Sequence, residues 1–294
     1  MEIANYKFHW KLAPADDPPD LDSLTGSLLC AEELGIESVL LRIELPTSYL
    51  NTHSTWIDQI GKIRIMAECI PFSVSADVFT EQIRALSARL RGRLLLCFPI
   101  DQWWRQAGNR DETMDDDAYR RLHDYLAACS SLRGPRPEIF LEGKSAEAAT
   151  LAIKFADCLW LHSRNSKQFY SDALPLLHMG KEAGICMSLI ARETSEEAYA
   201  AASPILPGCY DARDKLLDPA CCLWTNPAFE GVTLIGSFDE VAEALVRLSK
   251  YGISQFLLHG DRSELMGFGL NVLPLVRAKE AGNQVILKQP IYPI

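Results

Sequence analysis

The sequence lacks the patterns that would assign it to a membrane, secreted or nucleic-acid-binding class. It has no run of about 18 uninterrupted apolar residues, which a transmembrane helix would need. Its first ten residues, MEIANYKFHW, lack the basic and apolar regions of a secretory signal, so we expect a cytoplasmic protein. The formal net charge is −10 and no basic cluster occurs, which argues against nucleic-acid binding because phosphates are neutralised by clustered Lys and Arg.

Common catalytic and metal-binding signatures are missing as well. The chain contains no G-x-S-x-G, H-E-x-x-H, paired-carboxylate or nicotinamide-binding fingerprint. Its nine cysteines are an odd number, and several lie inside apolar segments such as LLLCFPI. Cys221 and Cys222 are adjacent, but no C-x-x-C or histidine cluster accompanies them. We therefore expect reduced core cysteines and no metal site.

What the sequence does contain is an alternation of apolar segments with segments of helical periodicity. Strands are expected at 3–10, 37–44, 63–70, 93–100, 138–142, 158–162, 185–191 and 254–259. Helices are expected at 21–34, 54–61, 76–90, 115–130, 146–156, 167–182, 195–205, 239–250 and 263–279. Strands that are apolar almost throughout are typical of a parallel sheet that is covered on both faces. The pattern predicts an α/β fold, a (β/α)8 TIM barrel, with residues 1–294 forming one domain.

Two longer segments interrupt this alternation, at 101–117 and 205–232. The loops that follow the strands of a TIM barrel build its active site, so the first segment is expected at the catalytic face. The second segment starts at the opposite rim. Trp103, Trp104 and Trp224 lie in these segments and would either wall an apolar pocket or pack within the loops.

A turn of small and polar residues joins the fifth strand to the following helix. In IFLEGKSAEAATLAIKFAD, Gly143, Lys144 and Ser145 stand between strand and helix. Such a turn offers free backbone N–H groups, a hydroxyl and an ammonium to an anion, and would suit a phosphate. The alternative is a plain turn in which Ser145 only caps the helix.

Side chains that could carry chemistry stand at the predicted strand ends. His9, His162 and His259 end the first, sixth and eighth strands and could serve acid–base chemistry, although a strand histidine is more often a satisfied core group. Arg192 ends the seventh strand. A guanidinium there would need a buried partner, which favours a functional role.

Six segments, in this order along the chain, carry a resemblance to a known family. They are DLDSLTGSLLCAEELGIESVLLRI, VFTEQIRALSARLRGRLLLCFP, DDAYRRLHDYL, IFLEGKSAEAATLAIKFADCLWL, LIARETSEEAYAAA and LIGSFDEVAEALVRLSKYGISQFLLHGDRSELMGFGLNVLPLVR. Together they resemble the bacterial-luciferase-like flavin monooxygenases, and within these the alkanesulfonate monooxygenase branch. The resemblance covers most of the chain.

The resemblance implies a two-component enzyme. Reduced FMN (FMNH2) would come from a separate reductase and use O2 through a peroxyflavin to oxygenate a small organic substrate, sulfonate-like or a biosynthetic intermediate. It assigns the phosphate of the cofactor to Gly143, Lys144, Ser145 and Ala146, and the flavin ring to the neighbourhood of Glu68, Cys69 and Cys97, with Tyr119 as a further cofactor-binding residue. It assigns the peroxide or substrate anion to Arg192, assisted by His9 or His53. We also expect a homodimer.

Several positions depart from the family pattern. Cys97 stands where the family has an asparagine that touches the flavin, and Thr52 stands where sulfonate enzymes have a cysteine. The family's Arg-Gly-Gly lid is replaced by the shorter LWTNPAFEGV, and its last tyrosine by a segment near Asp261. These departures leave two alternatives open. One is a non-catalytic homologue that acts as a flavin-binding or partner subunit, and the other is an F420-dependent oxidoreductase.

Overall fold

Strands and helices alternate along the described part of the chain. The computed structural model describes residues 6–12, 21–42, 55–69, 74–100, 116–132, 136–161, 166–204, 216–218, 223–226 and 231–287. The strands are β1 Lys7–Leu12, β2 Ser38–Arg42, β3 Arg64–Glu68, β4 Leu94–Pro99, β5 Glu138–Glu142, β6 Cys158–Leu161, β7 Glu182–Arg192, β8 Leu216–Asp218, β9 Leu223–Asn226, β10 Gly231–Ser237 and β11 Ile253–Gly260. The α-helices are α1 Leu21–Glu33, α2 Thr55–Gln59, α3 Ala76–Arg89, α4 Asp116–Ser130, α5 Ala146–Phe155, α6 Ser166–His178, α7 Ser195–Ala202, α8 Phe238–Ser249, α9 Arg262–Gly267 and α10 Leu273–Leu287.

Strands β1 to β7 and β11 close into a ring of parallel strands. Each of β1 to β6 pairs with the next strand in the chain. β11 closes the ring because it pairs with β1 from Lys7↔Gln255 to Leu12↔Gly260 and also with β7. These eight strands are the eight that the sequence predicts, so the predicted (β/α)8 barrel is confirmed.

Three strands that the sequence does not predict, β10, β9 and β8, extend the sheet from β7 in that order. β7 extends beyond the ring, and its residues Met187–Arg192 pair with β10, which continues into the antiparallel strands β9 and β8. β8 and β9 have only three and four residues, too few to show a period of two. The segment 205–232, predicted as a loop, therefore contains β8, β9 and the start of β10.

The predicted helices agree with the structure except near the C-terminus of the described chain. There, a π-helical turn over Phe268–Val272 separates α9 from α10, where the sequence predicts one continuous helix. Periodicity alone cannot distinguish the two because a π turn inserts only one residue. Across the described ranges, no helix is both long enough and apolar enough to cross a membrane.

Side chains inside the barrel form layers. The pairing registers advance by one residue from each strand to the next, so inward side chains from alternate strands share a height. From the C-terminal rim downward, the four upper described layers are Arg42, Pro99 and His259; Lys11, Glu68, Glu142 and Cys186; Leu40, Cys97, Trp160 and Leu257; and His9, Met66, Phe140 and Gly184. Below these lie Ser38, Leu95, Cys158 and Gln255, and finally Lys7, Arg64, Glu138 and Glu182. The interior is therefore charged at both ends and largely apolar between them.

Candidate functional site

The charged layer near the C-terminal rim is the most distinctive feature of the barrel interior. Lys11 on β1 points its ammonium toward Glu68 on β3, with 3.6 Å between Nζ and Oε1. Burial by itself lowers the pKa of Lys11, but the carboxylates of Glu68 and Glu142 outweigh it, and the pKa is raised. Lys11 is therefore a protonated ammonium between two carboxylates, at the end of the barrel where TIM-barrel active sites lie.

Three buried polar atoms next to this layer have no hydrogen-bond partner among the described residues. They are Glu68 Oε1, His259 Nε2 one layer above, and Trp160 Nε1 one layer below. Burial, followed by the charge of Lys11, lowers the pKa of His259, so its imidazole is neutral near pH 7. Buried polar atoms are almost always hydrogen-bonded in folded proteins, so three open ones in adjacent layers indicate a ligand site.

The turn after β5 adjoins this layer, since Glu142 is the last residue of the strand. Gly143 is buried, whereas Lys144 and Ala146 are exposed. Ser145 is the N-cap of α5, and its Oγ accepts a hydrogen bond from Ala148 N at 3.1 Å. Ser145 therefore has the capping role that the sequence offered as the alternative to a phosphate site. A phosphate would still have the exposed first turn of α5 and the Ser145 hydroxyl proton.

Arg192 is predicted to bind an anion, and in the structure its guanidinium is already paired with a carboxylate of the same chain. It lies four residues beyond the last β7–β11 pair, and its guanidinium holds Glu264 of α9 through two bonds, Nη2–Oε1 at 2.7 Å and Nη1–Oε2 at 3.1 Å. The bond to Glu264 is the main cause of the raised pKa of Arg192. Arg192 thus ties β7 to α9 at the rim, and a second anion would have to use its remaining N–H groups.

His9, predicted to take part in the chemistry, does not lie at the rim. It is buried two layers below Lys11, where Nδ1 contacts Ser38 Oγ at 2.6 Å and Nε2 contacts Gln255 Oε1 at 2.5 Å. Burial, with Lys7 and Arg64 nearby, lowers the pKa of His9 to about 3. Both ring nitrogens are engaged, so His9 has no atom to offer a substrate.

The two cysteines assigned to the flavin ring are also displaced from the expected positions. Cys69 follows β3 with its side chain among the residues packed between strands and helices, on the outside of the barrel. Cys97 faces the interior but is fully buried in the layer below Glu68, and burial raises the pKa of its thiol. Of the three residues predicted around the ring on β3 and β4, only Glu68 lies in the charged layer.

Of the other predicted site residues, some lie within the described ranges and some outside them. Tyr119 lies in the first turn of α4, half-buried against the outer core. Asp261 caps α9 by accepting a hydrogen bond from Glu264 N at 2.9 Å. Outside the described residues lie His53, Thr52, His162, Trp103 and Trp104, and the Trp224 side chain is not described.

No disulfide or metal site is formed in the described ranges. No disulfide joins the six cysteines within them. No group of three or more His, Cys, Asp or Glu side chains there is arranged to hold a metal ion.

Lys11 and Glu142 are the site residues that the sequence interpretation missed. A signal for Lys11 was available, because it stands at period two from His9, on the face of β1 opposite the apolar Phe8 and Trp10. A charged side chain at an inward strand position needs a charged partner. Glu142 carries the same signal at the end of β5.

Comparisons with known proteins support the flavin interpretation. No protein-family model matches the chain. Two relatives are both named FMNH2-dependent dimethylsulfone monooxygenase. The one from Pseudomonas fluorescens (strain Pf0-1) is 23% identical over 86% of each chain, and the one from Pseudomonas putida is 28% identical over 55% of this chain and 52% of its own.

Solved structures with the same architecture include several flavin and F420 proteins. A riboflavin lyase, solved with a modified FMN and riboflavin, has a TM-score of 0.69 at 12% identity, covering 94% of this chain and 92% of its own. The EDTA monooxygenase from Chelativorans sp. BNC1 has a TM-score of 0.68 at 11% identity, with 94% of both chains covered. An F420-dependent secondary alcohol dehydrogenase has a TM-score of 0.65 at 12% identity, covering 93% and 99%. The fold is therefore the (β/α)8 barrel that these flavin and F420 proteins share.

Proposed function

We propose that this barrel is a flavin-dependent monooxygenase of the luciferase-like class, with reduced FMN as its cofactor. The observation that carries the proposal is the set of open polar atoms in and beside the charged layer, at the rim where this fold places its active sites. The names of both relatives support the same reaction type. A separate reductase supplies the FMNH2, and O2 and a small organic molecule are the other substrates.

The residues present fit a flavin. The isoalloxazine ring carries hydrogen-bond donors and acceptors along its edge, and His259 Nε2, in the uppermost described layer, offers it an open position. Gly143, Lys144, Ser145 and Ala146, in the turn at the N-terminus of α5, would hold the phosphate. The exposed Glu147 in the first turn of α5 opposes this attraction, and Lys144 offsets it.

When bound, the reduced flavin supplies electrons to O2 so that one oxygen atom reaches the substrate and the other leaves as water. Lys11 and Glu68 orient the polar groups of a ligand that enters the upper barrel. Both side chains can do so because they are held on strands rather than on loops. Neutral His259 can accept or deliver a proton at Nε2. The apolar layer of Leu40, Cys97, Trp160 and Leu257 excludes water from below.

Two finer points belong to the same proposal. Arg192, held by Glu264, keeps α9 against β7 at the rim, and we assign it a positioning role toward the substrate. A second candidate function, an F420-dependent oxidoreductase, is favoured by the fold likeness to the F420-dependent alcohol dehydrogenase. That dehydrogenase and the flavin proteins share only the architecture with this chain, so cofactor preference separates the two functions.

The test is an anaerobic titration of the purified protein with reduced FMN, oxidised FMN and F420, followed by flavin absorbance and fluorescence. We expect reduced FMN to bind, and O2 admitted afterwards to oxidise the bound flavin at a rate different from that of free FMNH2. Preferential binding of F420 would replace the monooxygenase with the oxidoreductase. Binding of neither cofactor would support the non-catalytic alternative and contradict the proposal.

A further inference from the structure

The chemistry of the charged layer restricts the substrate, provided that the proposed function holds. A molecule that reacts on the flavin ring must contact the ring, and the proposed function would hold the ring at the rim, above this layer. The polar group of the substrate would therefore be within reach of Lys11 and Glu68. The hydrogen bonds that Lys11 and Glu68 do not make determine which polar groups of a substrate they can bind.

Lys11 and Glu68 face each other without a hydrogen bond. The separation of 3.6 Å between Nζ and Oε1 is longer than a hydrogen bond allows. The side chain of Glu68 is only 7% exposed, and its Oε1, although it faces the Lys11 ammonium, receives no hydrogen bond from the described residues. A buried carboxylate oxygen without a hydrogen bond is costly, and an N–H or O–H donor relieves the cost.

An anion would gain little from Lys11. The ammonium charge is already compensated by Glu68 and by the nearby Glu142 carboxylate, both of which raise the pKa of Lys11. An oxyanion placed against Lys11 would also lie close to Glu68 Oε1, which repels it. Lys11 remains a hydrogen-bond donor, and Trp160 Nε1 in the layer below is a second one.

We infer that the substrate presents an uncharged polar group that both donates and accepts hydrogen bonds, such as an amide or sulfonamide, and is not a sulfonate or carboxylate. The donor satisfies Glu68 Oε1, and the acceptor satisfies Lys11 Nζ or Trp160 Nε1. The inference departs from the sulfonate-like substrate that the sequence resemblance implies.

Three small sulfonyl compounds test the inference because they differ in one substituent. Methanesulfonamide donates and accepts, dimethyl sulfone only accepts, and methanesulfonate is an anion of nearly the same size. Their dissociation constants would be measured by ligand-observed NMR titration, with the protein alone and loaded anaerobically with reduced FMN. We expect affinity to fall in that order, by about tenfold or more from the first to the last, because a hydrogen bond to a buried charge contributes at least that much.

Two isosteric variants identify the residue responsible. Glu68→Gln removes the charge without changing the shape, and should bring the affinities of the amide and the anion to within about threefold. Glu182→Gln is the matched control. It makes the same change in the lowest layer of the barrel, where Glu182 accepts from Lys7 at 3.3 Å, and should leave the order unchanged.

Methanesulfonate binding as tightly as methanesulfonamide, or an unchanged order in Glu68→Gln, would overturn the inference. The same holds if none of the three compounds binds. These outcomes are distinct from failure of the proposed function, which shows as absence of flavin binding in the preceding titration. Flavin binding with an inverted order of the probes leaves the monooxygenase in place and removes only the substrate class.

Discussion

At the scale of single residues, His9 is the clearest case of a polar side chain that serves stability. Its two ring nitrogens contact Ser38 and Gln255, and its ring packs edge-on against Phe140 and Trp160. Gln255 in turn donates to Glu182 at 2.5 Å. The neutral imidazole therefore connects the apolar middle of the barrel to the polar lower end.

This arrangement predicts a pH-dependent stability. The pKa of His9 is about 3 in the folded chain, below the usual 6.5, so between these values the unfolded chain binds a proton that the folded chain refuses. The contribution is complete above pH 6.5 and is lost as the pH falls toward 3. Urea unfolding of the wild type should show a loss of about 1 kcal/mol per pH unit from this group across the window.

The comparison for this prediction is His9→Gln, which should be less stable at pH 7 but lose less stability on acidification. His178→Gln, an exposed position at the end of α6, should keep the wild-type slope. Equal slopes in the wild type and His9→Gln would show that His9 is not the titrating group.

At the scale of secondary-structure elements, the start of α5 separates a capping role from a ligand role. Ser145 caps the helix, and the proposed phosphate site uses the same turn. Aspartate is an equally good N-cap residue but brings a negative charge. Ser145→Asp should therefore keep the stability of the wild type and weaken binding of reduced FMN by about tenfold or more, since a like charge replaces a donor.

The reciprocal variant is Ser145→Ala, which loses the cap and should cost about 1 kcal/mol of unfolding free energy. Thermal unfolding and flavin titration of both variants would be measured together. Unchanged FMN affinity in Ser145→Asp would move the phosphate away from this turn.

Most of the elements, but only part of the site, could be predicted from the sequence. The barrel strands are long apolar runs, and α3, α5, α7 and α8 begin at Ser or Thr caps, so local chemistry defines them. β9 depends on pairing with β10 and β8 on pairing with β9, contacts that no local pattern encodes. His9 was misplaced because the chain does not reveal the height of a residue inside the barrel, which follows from the register of all eight strands.

At the scale of the whole molecule, the layered interior depends on one glycine. A Cβ at Gly184 would lie 2.3 Å from Trp160 Cζ3, so the indole fills the space that this glycine leaves on β7. Trp160 also stacks on Phe140, with 5.3 Å between ring centroids. The glycine thus allows two large aromatic rings to fill the middle of the barrel.

Gly184→Ala should destabilise the protein by about 1–3 kcal/mol, because overpacking forces Trp160 out of its position. Gly267→Ala is the matched control. That glycine is helical and has no heavy atom within 4 Å of a built Cβ, so alanine should stabilise the protein by up to about 1 kcal/mol. Urea unfolding of the two variants should give changes of opposite sign, and a neutral Gly184→Ala would contradict the packing described.

The stacked rings of Trp160 and Phe140 affect how small molecules enter and leave the upper barrel. Trp160 and Phe140, fully buried and stacked, close the described part of the barrel below the charged layer, so a small molecule reaches that layer from the C-terminal rim. If the flavin is held above the same layer, cofactor and substrate share this route, and reduced flavin that binds first slows both the arrival and the departure of the smaller molecule.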